Sequence, residues 1–387
     1  MFFFAITLLL LVPYLLLILY YSNGWNNVPN YVCAPFSTEE ALPFVSIIIA
    51  ARNEETKIGD CIKSINTQTY PKNKFELIIV NDHSTDETEK IVKSFTNENI
   101  RLISLADFTE NKKLNSYKKK CIETALIHAT GELIVTTDAD CIVPGKWIEN
   151  LVSFYKEKNC VFIAAPVVFS RGDTRDSFGK KLLVVFQCLD FMTLQGITGA
   201  SVSNKVHNMC NGANLAYTKK AYEAVNGFEG IDNIASGDDM LLMHKIQQRF
   251  PDKIGFLKSK DVIVETNAEE TLANFFNQRI RWASKSDKYA DKKIMSVLVL
   301  VYFLNVWLLI LGISSFFSIK LFYLFLVTLA IKIVIELIFL FPVTKFFDRQ
   351  KLLWFFIPAQ PFHILYTIIA GWLGKFGNYK WKGRKVK

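Results

Sequence analysis

The chain reads as an α/β domain with a mostly parallel sheet, carried between apolar segments long enough to enter a membrane. Three observations predict this. Strand-length apolar runs alternate with helix-like stretches through the middle of the chain, the signature of a parallel sheet covered on both faces. Of 387 residues, 51% are hydrophobic and 32 are Phe, an apolar excess for a soluble protein of this size. That excess sits at the two ends.

Residues 2–21, FFFAITLLLLVPYLLLILYY, carry no charge. About 20 helical residues at roughly 1.5 Å each match a hydrocarbon core of about 30 Å. A signal peptide is the competing reading, but the stretch has no basic n-region and no small-x-small cleavage site, so residues 1–22 are expected to be a retained anchor. Residues 294–374 are nearly all apolar and break near Lys320 and at TKFFDRQK, giving two or three further segments, followed by a basic tail at 375–387. Between lies a domain at 40–290. Its seven-cysteine complement for the whole chain is odd in number and has no CxxC pair, which suits reduced, buried thiols facing a cytosolic compartment. The net charge of +9 gathers at membrane flanks such as KSDKYADKK and KWKGRKVK, so anionic lipid is the expected partner and nucleic acid is not.

Taken in order, FVSIIIAA precedes a helix at 55–66, FELIIVND one at 84–95, IRLISL one at 115–129 and ELIVTTD one at 144–158, with CVFIAAPV after them. Ser84 followed by Glu87 reads as a capping box for the second helix. In sheets of this kind ligands bind beyond the carboxyl ends of the strands. Arg52, Asn53 and Glu54 follow the first strand, Asn81 and Asp82 the second, Asp138 and Asp140 the fourth. A lone Asp there is commonly a turn or cap residue, but three strand ends so equipped suggest a site. Asp138 and Asp140, one residue apart, would point the same way if extended, and two such carboxylates call for a cation. There is no GxGxxG and no GxxxxGK[ST] to hold phosphates, so a metal held by carboxylates, Mg²⁺ or Mn²⁺ by ligand hardness, is the remaining device.

These motifs resemble the family-2 glycosyltransferases of GT-A fold, a Rossmann-like nucleotide-sugar-binding fold, and in particular the membrane branch of cellulose, hyaluronan and chito-oligosaccharide synthases and ceramide glucosyltransferase. The resemblance runs from residue 43 to about 285 in family order: VSIIIAARNEE and IIVNDHSTDET as the nucleotide-binding strands, TTDADC as the DxD motif, SGDDMLL as the catalytic-base motif and QRIRW as Q-x-x-R-W. It implies that Arg52, Glu54 and Asp82 serve the nucleoside of a nucleotide sugar, and that Asp138 and Asp140 address ribose, diphosphate and metal. Lys118 or Lys119 would contact phosphate; the family's usual Gly is Tyr117 here, which leaves open which lysine faces the site, and KKK also reads as a solvated helix start. CNGANLAYTKKAYEAVNGF resembles the donor-sugar wall, with Asn211, Gly212 and Asn214 as candidates, though a tight turn explains the glycine equally well. Asp239 is implied as the general base, with Asp238 structural or capping; the bland reading is that SGDD only caps a helix.

On a helix, Gln278, Arg281 and Trp282 fall at i, i+3 and i+4 and share one face, with Arg281 for phosphate and Trp282 and Gln278 at the acceptor mouth; a basic interfacial helix is the alternative. KKLLVVFQCLDFMTLQGI at 180–197 is either core or an in-plane membrane helix. The resemblance implies an inverting transferase in the inner (plasma) membrane, its catalytic domain cytosolic, moving a sugar from a donor, UDP-linked by expectation, to a lipid or glycan acceptor. A processive polysaccharide synthase and a non-catalytic scaffold that keeps the fold are the rivals; few membrane segments argue for few transfers unless the chain dimerises or has a partner subunit. At the C-terminal end, Pro358, Gln360, Pro361 and His363 suggest a re-entrant hairpin over 352–374 that leaves the basic tail in the cytosol.

Overall fold

The computed structural model describes residues 1–33, 42–109, 114–172, 176–206, 208–284, 292–376, 379–381 and 384–386. Residues 285–291 of the basic flank, and 377, 378, 382, 383 and 387 of the tail, lie outside the described residues. The chain divides into an α/β unit, Pro29–Ser170 with Asn208–Asn267, and a helical unit, Met1–Val28, Arg171–His207 and Ala268–Lys387.

In the α/β unit, β1 (Val45–Ala51), β2 (Phe75–Asn81), β3 (Ile100–Ser104) and β4 (Leu133–Thr136) are parallel in the order β3-β2-β1-β4. The register pairs Ala51 with Asn81 and Ile48 with Thr136, so the carboxyl ends of β1, β2 and β4 open at one edge. Beyond β4 the sheet continues through β7 (Leu215–Thr218), β5 (Phe162–Ala164) and β8 (Ile254–Phe256). β7 runs antiparallel to both neighbours, so the sheet is mixed although mostly parallel. β1 is buried along nearly its whole length, as expected of a strand covered on both faces. The run CVFIAAPV, read as one strand, is divided: β5 ends at Ala164, and β6 (Val167–Phe169) pairs in parallel with β9 (Val264–Thr266) in a separate ribbon. Helices α2 (Ile58–Asn66), α3 (Thr88–Lys93), α4 (Tyr117–His128) and α5 (Trp147–Lys158) fall within the four expected stretches.

The capping box is not formed. α3 begins at Thr88, whose backbone N–H donates to Asp86 Oδ1, while Ser84 Oγ accepts from the N–H of Asn53 at 3.0 Å. Ser84 fastens the loop after β2 to the loop after β1, a tertiary use that a local pattern cannot reveal.

In the helical unit, α1 (Phe2–Asn27), α6 (Phe178–Asn204), α10 (Lys292–Ser314), α11 (Ile319–Phe346) and a helical stretch at Gln350–Phe376 are long and apolar enough to cross a membrane. α6 packs against α1 and α11. A Cβ at Gly196 would lie 2.6 Å from Val343, so only glycine allows this approach. α6 joins the two halves of one sheet, in which β4 pairs directly with β7.

No hairpin turn interrupts residues 356–376. After a 3₁₀ turn at Gln350–Phe355, α12 (Phe356–Phe376) is one helix that contains Pro361. Pro358 sits in its first turn, where a missing N–H costs little. The polar residues have a different cause from the one expected. Lys332, fully buried on α11, places Nζ 2.8 Å from Glu336 Oε1 and donates to Gln360 Oε1 at 2.8 Å, and the Tyr14 hydroxyl donates to Glu336. Gln360 therefore partners an ion pair inside the bundle, as charges in apolar surroundings require.

Candidate active site

The site grows from the strand ends. Arg52, after β1, reaches across to the loop after β2: its Nη1 donates to the carbonyls of Asp82 at 2.7 Å and His83 at 3.1 Å and lies 3.9 Å from the Asp82 carboxylate. Asp82 is 2% exposed, and its Oδ1 lies 3.0 Å from His83 Nδ1. Asn53, in the left-handed region at φ 51°, accepts from Thr85 N, and the backbone N–H of Glu54 donates to Thr88 Oγ1. Arg52, Glu54 and Asp82 thus belong to two loops laced into one rigid rim. His83 is a residue that sequence reasoning missed; its place directly after Asp82 was the available signal.

The second group gathers on Lys118, in the first turn of α4. Its Nζ donates to Asp138 Oδ1 at 2.7 Å and lies 3.1 Å from Asp238 Oδ2. Burial alone would lower this lysine's pKa, but the Asp138 and Asp238 carboxylates outweigh it and hold the ammonium well above its ordinary value. Gly212 lies in the same cluster, and a Cβ there would meet Lys118 Nζ at 3.1 Å and Asp238 at 3.3 Å. Lys119 does other work. It is 1% exposed, and its ammonium donates to the carbonyls of Ile231 (2.5 Å), Ile234 (2.9 Å) and Ser236 (3.1 Å), fastening the loop that leads to Asp238. Lys118 is the lysine among the carboxylates.

The capping expectation is reversed between the two acidic neighbours. Asp239 is the N-cap of α8 (Met240–Arg249), Oδ1 accepting from Met240 N at 2.7 Å, while its Oδ2 accepts from Gly212 N at 3.1 Å. Asp238 is the one paired with Lys118. Asn211 closes its own turn, Oδ1 accepting from Ala213 N. Asn214 is fully buried, holding Trp147 Nε1 and the carbonyls of Pro166 and Val262, so it is a structural clamp and not a sugar contact.

Asp138 and Asp140 converge, but not by strand alternation. β4 ends at Thr136, and the two aspartates lie in a turn in which Cys141 N donates to Asp138 O at 3.2 Å. Ile142 then bridges Glu265 of β9, and Thr266 Oγ1 donates to Asp140 Oδ2 at 3.2 Å. Ligand atoms of Asp138, Asp140 and Cys141 lie within 4.8 Å of one another. Burial, reinforced by Asp140 and Asp138, pushes the Cys141 thiol well up, so it stays neutral and adds little for a hard cation. The two carboxylates fit Mg²⁺ or Mn²⁺; the thiol does not contribute.

The Q-x-x-R-W residues lie in the helical unit on α9 (Leu272–Ala283), which is helical as expected. Gln278 donates to Glu269 Oε1 at 3.0 Å, and Trp282 faces the Arg279 guanidinium. Arg281 has no side-chain hydrogen bond or ion pair among the described residues.

Residues 46–225 match the family described as Glycosyl transferase family 2. The middle of this chain is thus similar in sequence to family-2 glycosyltransferases. It is 32% identical over 114 residues to glycosyltransferase AglE of Haloferax volcanii, covering 29% of this chain and 35% of that protein. It is 30% identical over 118 residues to a beta-monoglucosyldiacylglycerol synthase of Nostoc, covering 30% of this chain and 25% of that protein. The chain therefore spans about a third or less of the length of these relatives. Among solved structures, the mannosyltransferase PcManGT of Pyrobaculum calidifontis, in complex with GDP-Man and Mn²⁺, superposes with a TM-score of 0.59 at 19% identity, over 95% of this chain and 98% of that one. That likeness extends the shared GT-A-like fold beyond the family-2 segment.

Proposed function

We propose that the chain is an inverting glycosyltransferase of the plasma membrane, its α/β unit cytosolic, that moves a sugar from a UDP-linked donor to the hydroxyl of a membrane lipid or lipid-linked glycan. The observation that carries this reading is the meeting of Lys118, Asp138, Asp140, Asp238 and Gly212 at the strand ends of a family-2 domain. Asp82 and Glu54 hold the nucleoside, and Arg52 keeps Asp82 in place. Asp138 and Asp140 would hold Mg²⁺ or Mn²⁺, which when bound neutralises charge on the diphosphate. Lys118 supplies a fixed cation for the same charge as the sugar–phosphate bond breaks. Asp239 takes the acceptor proton while the hydroxyl attacks C1 from the face opposite the nucleotide. Asp238, which lies beside Lys118 and Gly212, is the second candidate for this proton. Asn211 and Gly212 line the donor sugar. The roles of Gln278, Arg281 and Trp282 toward acceptor and leaving group rest on their motif.

A lipid acceptor is supported by the apolar helices and by the relative named for a glucosyldiacylglycerol product; a divalent metal is supported by the Mn²⁺ of the mannosyltransferase complex. The test is nucleotide release by the purified full chain with Mn²⁺ in diacylglycerol mixed micelles, from UDP-glucose, UDP-galactose, UDP-N-acetylglucosamine and GDP-mannose. Release of UDP from one UDP-sugar with the label in one lipid product supports the reading. A ladder of long products would replace it with a polymerase, and no release from any donor would overturn it.

A further inference from the structure

Two residues of the Q-x-x-R-W motif share a neighbour that the motif does not include. Arg279 is 5% exposed. Its Nη1 donates to Gln278 Oε1 at 2.7 Å, and its guanidinium carbon lies 4.3 Å from the centre of the Trp282 ring and 4.9 Å from that of Phe275. Its Nη2 forms an ion pair with Asp190 Oδ2, on α6, at 2.7 Å. Asp190 Oδ1 in turn accepts from the hydroxyl of Tyr366, on α12.

The guanidinium group thus meets a different partner on each of three sides. One nitrogen faces a carboxylate, another an amide oxygen, and the flat face covers an indole. Lysine has no plane and no fork with which to do this. A guanidinium buried this far needs a counter-charge, and Asp190 is that charge. Tyr366 occupies the other oxygen of Asp190 and so orients it. The chain of contacts runs from α12 through α6 to the two motif side chains on α9. Gln278 is held from its other end as well: its Nε2 donates to Glu269, whose backbone N–H and carbonyl are both bound by the buried Gln187 amide at 2.9 Å.

We propose that Asp190 and Tyr366 are positioning residues for glycosyl transfer, acting through Arg279 to hold Gln278 and Trp282 in their working orientation. The proposal rests on the glycosyltransferase reading above. Loss of the Asp190 charge would leave the guanidinium unpaired among apolar rings, and its turning away would release the amide and the indole together. The nucleoside rim, built wholly within the α/β unit, would be untouched.

The test uses the full chain in detergent, as wild type, Asp190→Asn, Tyr366→Phe, Trp282→Phe and the double variant Asp190→Asn with Trp282→Phe, with the UDP-sugar that gives most UDP release in the panel above. Asp190→Asn is expected to lower kcat by about 10- to 100-fold with the donor KM changed less than about twofold, and Tyr366→Phe by about 3- to 10-fold. The double variant is expected to be no slower than Trp282→Phe alone, because both changes remove one arrangement. A factor for Asp190→Asn that is undiminished on the Trp282→Phe background, or a donor KM that rises in step, would overturn the proposal. A second readout needs no turnover. Trypsin cleavage of the Arg281–Trp282 bond, relative to cleavage elsewhere, is expected to quicken in Asp190→Asn and, as the milder change should Asp190→Asn not fold, in Tyr366→Phe. Unchanged cleavage would overturn the proposal. Quickened cleavage in a chain whose wild type releases no nucleotide would support the Arg279 arrangement while refuting the glycosyltransferase reading.

Discussion

Replacing Lys119 with Met would separate two adjacent lysines that the sequence leaves equivalent. The Lys119 ammonium is buried and donates to three backbone carbonyls, of Ile231, Ile234 and Ser236. Methionine keeps an unbranched apolar stem one atom shorter than that of lysine and removes every donor. Each buried acceptor left unsatisfied costs about 1–3 kcal/mol, but the loop from 231 to 236 is partly exposed, so water replaces some of the loss. A total of about 3 kcal/mol is the working figure. For a unit of about 200 residues it corresponds to a fall in Tm of roughly 6–12 °C. Because the loop leads directly into Asp238 and Asp239, turnover falls as well. Lys118→Met should behave in the opposite way. Its ammonium offsets repulsion between Asp138 and Asp238, both partly exposed, so Tm changes by only a few degrees while nucleotide affinity drops about 10-fold or more. Differential scanning fluorimetry and UDP binding, measured on both variants, form the assay. An unchanged Tm in Lys119→Met, or a larger fall in Lys118→Met, would refute the division of labour.

Asp140→Asn should remove metal-dependent UDP binding without unfolding the chain, and full activity at ordinary Mn²⁺ would remove Asp140 from the metal site. Asp239→Asn is expected to leave UDP binding intact and lower turnover by roughly 10² or more, as for a lost general base, whereas that loss appearing in Asp238→Asn alone would transfer the role to Asp238. Lys258, 7% exposed, has its pKa lowered by burial from 10.5 to about 8. The folded state carries the cost of that buried charge below pH 8, sheds it between 8 and 10.5 as the folded form loses its proton before the unfolded form, and is free of it above. Lys258→Met should therefore raise stability at pH 7 by up to about 3 kcal/mol, an advantage that shrinks across pH 8–10.5; an advantage that is constant with pH would contradict this origin. With α12 one continuous helix, a reporter fused after Lys387 is expected to read out on the membrane face opposite the α/β unit, and a signal from the same face would restore a re-entrant path.

The parallel half of the sheet was legible because strands covered on both faces are continuous apolar runs, and VSIIIAA and FELIIVN are such runs. The acidic residues at their ends were legible as a set for the same reason: register places Ala51, Asn81 and Thr136 at one edge. What failed was whatever depends on partners distant in the chain. The antiparallel β7 follows from pairing with 133–136 and 162–164, and the split of CVFIAAPV from pairing with 254–256 and 264–266. Ser84 was claimed by Asn53 and not by its own helix. Asp238 and Asp239 are adjacent, so no pattern could say which would cap and which would meet Lys118. Gln360 drew attention as a misfit in an apolar stretch, but its meaning lay in Lys332 and Glu336, two charges hidden in a run so apolar that it read as plain membrane helix. Arg279 stood inside QRIRW and was passed over because the motif names its neighbours.

The most direct test of the account is transfer of labelled sugar from the UDP-sugar that the panel selects into organic-extractable lipid by the purified full chain, followed with and without Mn²⁺ and with the anomeric configuration of the product read by NMR. The account predicts metal-dependent labelling of a lipid product whose anomeric centre is inverted relative to the donor, lost in Asp140→Asn. A product of retained configuration, or equal labelling after chelation and in Asp140→Asn, would contradict it.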